Sequence, residues 1–485
     1  MVAYIESLTA IQIILAINYL FVVVALFTVL FKNNNPTKTL SYIIILIVLP
    51  FFGLIVYYLF GQEYRKQKIF NRKNVLNQST IKKYQKALAV DEEELVKLEE
   101  ELLDGKVKLI KLLNSSEDAP LTRCNEVEII RNGENTIPRI VEDLEKATSF
   151  IHLEYYIIRD DETGNMILDV LCNKAQEGIE VKLIYDYVGS SLSNATMERL
   201  SVAGVEFHPF MPVYFPKFTS KLNYRDHRKI AIIDGKIGYV GGVNISNTYF
   251  NGRNDMYWRD THTRIVGQAV GSLQMHFFMT WDFVTEESYE IVNAHFPKCE
   301  TSNRTALQIA ASGPDTDWAN IMEAIFTAIN IAEDYVYITT PYFIPNDEMI
   351  TALSAAAKSG VDVKIITPEQ SDSWMAKHAS ASYFERMLES GVRIFYYQPG
   401  FVHAKTMVVD DVFTTIGTSN MDYRSFNINF EINALIYDEK ISAEALSHFK
   451  IDLAESREVV LEEWEKRSFS NKLAESFTRL MAPLL

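Results

Sequence analysis

Two short segments carry residues able to do phosphorus chemistry. "DHRKIAIIDG", Asp226 to Gly235, and "VHAKTMVVDD", Val402 to Asp411, each place a lysine two residues after a histidine and an aspartate five beyond the lysine. Residues two apart on a strand point to the same side, so His227 shares a face with Lys229, and His403 with Lys405. The apolar stretch after each lysine reads as strand interior, with Asp234 and Asp410 at the turn that follows. A pocket built from both faces would hold two imidazoles and two ammonium groups. That set suits a phosphodiester: the lysines neutralise the non-bridging oxygens, one imidazole attacks phosphorus, and the other protonates the leaving oxygen. Zinc would need three or four His, Cys or carboxylate ligands, and ammonium groups beside them oppose a cation. No metal and no cofactor is expected.

Further residues fall at matching places. "GGVN", Gly241 to Asn244, and "GTSN", Gly417 to Asn420, follow the two motifs. Asn244, Ser419 and Asn420 are candidates to support the site or donate to a phosphate oxygen; closing a tight turn is their plainer role. Asp260 in "WRDTH" and Glu431 in "NFEIN" come later in each half, where a buried carboxylate can accept an imidazole Nδ1 proton and leave Nε2 aimed at substrate. Asp234 and Asp410 complete the motifs and count with the catalytic residues, although a turn position suits them better to holding the fold. His208, His276, His295, His378 and His448 have no counterpart in the other half. His152 matches Tyr337, and His262 beside Asp260 is at most an outer support.

The two strands have a reason to meet because the chain repeats itself. "IVEDLEKATSFIHLEYYI" from Ile140 is echoed by "IMEAIFTAINIAEDYVYITTPYF" from Ile321, and "MILDVLCNKAQEGIEVKLIYD" from Met166 by "MITALSAAAKSGVDVKIITPE" from Met349. Each pair reads as helix then strand, with Gly178 and Gly360 as helix stops. A duplicated α/β unit packing on its copy about a pseudo-two-fold axis would bring equivalent strands face to face.

Ahead of the repeat, Ile11 to Phe31 and Tyr42 to Phe60 are apolar runs, each about the 20 residues that cross a bilayer. Glu6 and the lack of basic residues before the first run argue against a cleaved signal. Basic residues from Arg65 to Lys86 follow the second run, which places the remainder on the cytoplasmic side and offers contact with anionic lipid headgroups. Asp91 to Glu101 reads as an acidic connector helix. The expected organisation is a membrane hairpin at 1–62, a linker at 63–120, and two α/β domains at 121–310 and 311–485. With 485 residues and a net charge of −16, general nucleic-acid binding is disfavoured. Cys124, Cys172 and Cys299 are scattered, which reads as a reduced compartment with no disulfide framework. The aromatic stretch "FHPFMPVYFPKF" from Phe207 could shelter acyl chains or simply pack as a loop.

The paired motifs, with "ASGPD" from Ala311, "TPYFIP" from Thr340, "GTSNMDYRSFNINFEIN" from Gly417 and the tail "SFTRLMAPLL" from Ser476, resemble the phospholipase D superfamily. Nearly the whole chain is similar to its bacterial cardiolipin synthases. The resemblance implies an α/β fold of duplicated phospholipase D-like sandwich domains with pseudo-two-fold symmetry, preceded by two transmembrane helices. It implies a phosphatidyltransferase that passes a phosphatidyl group from one phosphatidylglycerol to another, through a phosphohistidine, with release of glycerol. By the family pattern His227 is the nucleophile and His403 the general acid and base. Phosphatidylglycerol and anionic membrane lipids are the implied partners; no nucleic acid is expected, and oligomeric state is not readable. The alternatives are a membrane-bound hydrolase producing phosphatidic acid, a nucleic-acid phosphodiesterase, and a non-catalytic membrane scaffold.

Overall fold

The computed structural model describes residues 10–32, 36–60, 83, 106–115, 119–212, 224–298, 301–314, 316 and 318–482. The basic cluster, the acidic connector and most of the aromatic stretch after Pro212 lie outside the described residues. The chain divides into two compact units, one formed by the N-terminal 69 residues and one by the rest.

In the first unit, α1 (Ala10–Lys32) contains one bilayer-length apolar helix, Gln12–Phe31. The second apolar run is not one continuous helix. It forms α2 (Pro36–Val48) and α3 (Pro50–Phe60), each too short alone to cross a hydrocarbon core. Proline has no N–H to offer the preceding turn and its ring crowds that turn's carbonyl, so the helix breaks at Leu49. Gly53 accommodates the bend: a Cβ there would stand 2.6 Å from the Ile45 carbonyl oxygen. Val22, Ala25 and Val29 of α1 pack against Leu46 of α2.

The second unit contains two sheets of matching topology. The first runs β1-β8-β6-β5-β2-β3-β4 and the second β9-β18-β16-β15-β10-β12-β13-β19. Strand ranges are β1 Asn125–Arg131, β2 Phe150–Tyr155, β3 Glu180–Asp186, β4 Glu206–Phe210, β5 Lys229–Ile233, β6 Ile237–Gly241, β7 Tyr257–Arg259, β8 Thr261–Gly267 and β9 Ala306–Ser312. They continue as β10 Tyr335–Thr339, β11 Phe343–Ile344, β12 Asp362–Pro368, β13 Arg393–Tyr397, β14 Gly400–Val402, β15 Thr406–Val409, β16 Phe413–Gly417, β17 Met421–Asp422, β18 Glu431–Tyr437 and β19 Ser456–Glu458. The expected boundary at 310/311 falls inside β9, whose whole length pairs with β18.

Helices α5 (Gly133–Glu145), α6 (Glu162–Gln176), α7 (Asn194–Ala203) and α8 (Ala269–Thr285) belong to the first half, after α4 (Lys106–Ser115). Helices α9 (Asn320–Asn330), α10 (Asp347–Lys358), α11 (Trp374–Ala381), α12 (Phe384–Glu389), α13 (Glu439–Ala454) and α14 (Phe469–Leu480) belong to the second. The repeated helices begin and end by the same chemistry. Asp161 caps α6 by accepting from the Gly164 N–H and Asn346 caps α10 from that of Met349, while Gly178 (φ 87°) and Gly360 (φ 100°) supply the left-handed turns beyond them. Their apolar faces close two cores, one around Ile137, Leu153 and Leu171, the other around Ile325, Ile338 and Leu353.

The halves are stitched by backbone. β7 pairs in parallel with β14, and Asp226 forms a bridge with Phe430. Arg259, at the end of β7, reaches into the second half, where both oxygens of Asp452 on α13 accept from its guanidinium at 2.9 Å; Arg131 joins the same carboxylate at 2.7 Å. One part of the cysteine expectation is corrected, the absence of any disulfide: Cys124 is disulfide-bonded, while Cys172 is free and buried. Spacing could not reveal this, because chain reversal brings the segment at Thr301, whose carbonyl lies 3.3 Å from Cys124 Sγ, alongside the start of β1.

Removing one partner from a buried ion pair leaves an uncompensated charge, at a cost of about 3–5 kcal/mol. Asp452→Ala therefore lowers the melting temperature in detergent by several degrees, and an unchanged melting curve would contradict this role for the carboxylate.

Candidate active site

Each histidine is oriented by a carboxylate from the opposite half. His227 Nδ1 lies 2.9 Å from Glu431 Oε2, and His403 Nδ1 lies 2.7 Å from Asp260 Oδ2. The cause is the backbone between halves. His227 N–H donates to the Phe430 carbonyl at 2.9 Å, the residue before Glu431, and His403 N–H donates to the Arg259 carbonyl at 2.7 Å, the residue before Asp260. A carboxylate on Nδ1 leaves Nε2 as the nitrogen available to substrate. The lysines repeat the symmetry: Lys229 Nζ donates to the carbonyl of His227 at 2.6 Å, and Lys405 Nζ to that of His403.

All six side chains are nearly or fully buried, His227 and His403 retaining 9% and 6% exposure. Burial, with the charges of Lys229 and Lys405, lowers His227 to about 4. Burial and Lys405 lower His403 to about 3. Burial also brings Lys229 down to about 7, helped by Lys405, and Lys405 down to about 8. Burial alone would raise both carboxylates, but the imidazole and lysine beside each hold Asp260 and Glu431 below their usual range. The resting site thus has neutral imidazoles with free lone pairs, held ready beside cations.

Supports around the two histidines differ. Tyr156 packs edge-on to His227 with ring centres 5.0 Å apart. Tyr249, Trp258 and Phe401 surround His403 at 5.5, 5.4 and 5.8 Å. The Thr418 hydroxyl donates to Glu431 Oε2 at 2.6 Å. At the matching position is Gly242, where a Cβ would stand 2.0 Å from Asp260 Oδ1, so only glycine fits beside the shorter carboxylate.

Asn244 Oδ1 accepts from the Ile157 N–H at 3.1 Å, while its buried Nδ2 finds no acceptor among the described residues. Asn420 Nδ2 donates to Asp422 at 2.9 Å, and its Oδ1 is the unpaired atom. Ser419 sits in the same turn, its N–H donating to Asn433 Oδ1 at 3.2 Å. The turn residues therefore offer one spare donor from the first half and one spare acceptor from the second.

Asp234 and Asp410 do not join the cluster. They occupy the far ends of β5 and β15 in left-handed conformation, at φ 53° and 45°. Asp234 accepts from the N–H groups of Thr148, Ser149 and Phe150; Asp410 does the same for Glu333, Asp334 and Tyr335. Their geometry is that of turn-holding acceptors, the role that a turn position suits better than chemistry. Among the described residues no group of three His, Cys or carboxylate side chains could hold a metal.

Sequence reasoning did not find Tyr156, Tyr249 or Thr418, nor the charged layer behind His227. There Arg228, wholly buried, faces Glu154 at 3.5 Å and Thr280 at 3.1 Å, and burial with the adjacent Glu154 raises Asp226 well above the usual carboxylate range. The signal was present: Asp226 and Arg228 alternate with His227 and Lys229, where the second motif has Val402 and Ala404.

Paired, carboxylate-backed histidines and buried lysines on a duplicated α/β fold define a phosphodiester-transferring centre of the phospholipase D type. A family model described as "Cardiolipin synthase, PLD-like domain" matches residues 140–277 and 325–453, and one described as "Phospholipase_D-nuclease N-terminal" matches residues 20–62. Cardiolipin synthase of Alkalihalophilus pseudofirmus is 39% identical over 98% of this chain and 93% of its own. Cardiolipin synthase 2 of Bacillus anthracis is 40% identical over 94% and 88%. The crystal structure of phosphatidylserine synthase from Haemophilus influenzae shares the fold, with a TM-score of 0.60 and 17% identity over 78% of this chain and all of that one. The chain belongs to the cardiolipin synthase family.

Asp260→Asn and Glu431→Gln keep shape but present an amide to Nδ1, favouring the wrong tautomer; each lowers kcat by about 10³-fold or more, in line with such changes in other histidine sites. Asp234→Asn, distant from the cluster, leaves kcat of the folded protein within about threefold, and a loss as large as that of the inner carboxylates would overturn the turn-holding role. The lysines add a pH dependence. A bound phosphate anion favours their charged forms, so binding takes up protons above about pH 7 and is strongest below it. KM for a phosphodiester lipid rises between pH 7 and 9, and a flat KM across that window would contradict the depressed lysines.

Proposed function

We propose that the chain makes cardiolipin from two molecules of phosphatidylglycerol, with His227 as nucleophile and His403 as acid and then base. The observation that carries this reading is the reciprocal pairing of His227 with Glu431 and His403 with Asp260, which leaves one Nε2 in each half for one phosphorus. Lys229 and Lys405 meet the non-bridging oxygens, with Asn244 Nδ2 as an added donor. The diester's negative charge raises both imidazoles from their resting values, letting His403 carry a proton.

The steps balance without any further reactant. His227 Nε2 forms a bond to phosphorus as the bond to the glycerol oxygen breaks, and His403 gives that oxygen its proton. The hydroxyl of a second phosphatidylglycerol then yields its proton to His403 and attacks phosphorus, breaking the P–N bond, which frees neutral His227 and returns His403 to the protonated form that opened the cycle. His227 as the attacking residue rests on the family pattern, because the two sides of the site are close to symmetric. Asp260 and Glu431 position the rings and stabilise imidazolium as it forms.

The chain is membrane-associated, and we read its N-terminal segment as a two-pass hairpin with the catalytic unit, made of two phospholipase D-like domains, on the cytoplasmic side. Support comes from the apolar helix Gln12–Phe31, the second apolar run kinked at Pro50, and the basic residues after it. Confinement to the bilayer raises the acceptor lipid's effective concentration over that of a free alcohol.

Purified protein given phosphatidylglycerol yields cardiolipin and glycerol, whereas phosphatidic acid with glycerol would favour the hydrolase. With a lipid bearing a good leaving group, His403→Ala accumulates an acid-labile phosphatidyl-enzyme and His227→Ala does not. The reverse pattern would exchange the two roles.

A further inference from the structure

Helix α14 is turned inside out. An ordinary surface helix buries its apolar stripe and leaves polar residues to water. Here four large apolar residues are among the exposed ones, Phe469 (79%), Leu473 (59%), Phe477 (60%) and Leu480 (75%), while the buried residues are Glu475 and Thr478. At 100° per residue the four apolar side chains fall within about 80° of arc. The inward polar face is clamped: Arg467 Nε donates to both oxygens of Glu475 at 3.0 and 2.9 Å, and its Nη2 donates to Glu385 of α12 at 2.7 Å. The helix therefore cannot roll its stripe inward without breaking a buried ion pair. Ser468 fixes its start by accepting from the Asn471 N–H.

Charge selects the occupant. In a chain of net charge −16, the ionised groups of α14 outside the clamp are Lys472 and Arg479, both beside the stripe. An apolar stripe with two cations along one edge matches a layer of anionic lipid headgroups over acyl chains. The same chain carries an apolar helix of bilayer length, which agrees with a membrane surface as the occupant. The position relative to the site agrees. Ala482, just past the helix end, packs on Ala379 of α11 and Ile344 of β11; Ile344 pairs with Asp422, the partner of Asn420 in the site.

We propose that α14 is an interfacial anchor whose stripe lies in the headgroup layer of an anionic bilayer and seats the catalytic cleft at the level of its lipids. Resting on the lipid-substrate reading, it assigns the stripe to capture of the membrane surface and not to the chemical steps. Removing the stripe therefore changes how the enzyme meets a bilayer, and leaves turnover of a dissolved lipid intact.

The test uses the full chain in vesicles of phosphatidylglycerol and phosphatidylcholine, with a benzophenone amino acid at Phe477 or, as control, at Asn471. Illumination is expected to give lipid adducts at 477 at least fivefold above those at 471. Adducts to a second copy of the chain, or lipid adducts no more frequent than at 471, would overturn the proposal. In parallel, Leu473→Ser/Phe477→Ser is expected to raise the apparent KM on vesicles about fivefold to tenfold, with kcat on a short-chain soluble phosphatidylglycerol within twofold of the unsubstituted chain. An unchanged vesicle KM would also overturn it. If the unsubstituted chain made no cardiolipin while lipid adducts at 477 persisted, the functional reading would fail and the anchor would stand.

Discussion

The site depends on one constraint, the backbone register between the two halves. Two hydrogen bonds, His227 N–H to the Phe430 carbonyl and His403 N–H to the Arg259 carbonyl, put each histidine one residue from a carboxylate of the other half. Slipping either pairing by one residue would turn the carboxylate to the opposite face. The short β7–β14 ladder is held by heavier devices nearby, above all the Arg259–Asp452 pair, which ties the end of β7 to a helix of the second half. Geometry at the phosphorus-binding cleft is therefore inherited from packing between domains.

Electrostatics follow from that closeness. Two ammonium groups and two imidazoles share a buried space with two carboxylates, and burial works against every charge among them. The carboxylates win because each meets an imidazole and a lysine. The imidazoles lose their protons and the lysines are left near neutrality. An anionic diester completes the balance, since it supplies the negative charge that the cations lack.

Much of this was readable from residue order. The duplication, the strands that follow the two histidines, and the identities of Asp260 and Glu431 all lie in local patterns, although β5 begins only at Lys229 and β15 at Thr406, so His227, His403 and Lys405 precede the strands they were expected to sit on. The crossing of the carboxylates does not, because a chain symmetric in its two halves is equally consistent with pairing within a half or across. Three-residue strands such as β7 and β14 carry too little alternation to announce a partner. The turn position of Asp234 and Asp410 already suggested a fold-holding role, but the three N–H groups each one binds are visible only in the structure. In the membrane segment, composition showed two apolar runs, but the break at Pro50 depends on one missing N–H. Arg228 and Asp226 were visible as letters, yet their buried layer has no counterpart in the second half and so no repeat to draw attention to it.

The cross-braced histidines also bear on how the protein is born. As the chain emerges from the ribosome, the first half is made before Phe430 and Glu431, which hold the backbone and the ring of His227. A nascent or truncated polypeptide already tethered to lipid therefore holds an unoriented imidazole and only half of the cation pair. Neither histidine has its carboxylate until both halves are in place, so the crossed bracing makes the site a property of the whole duplicated fold.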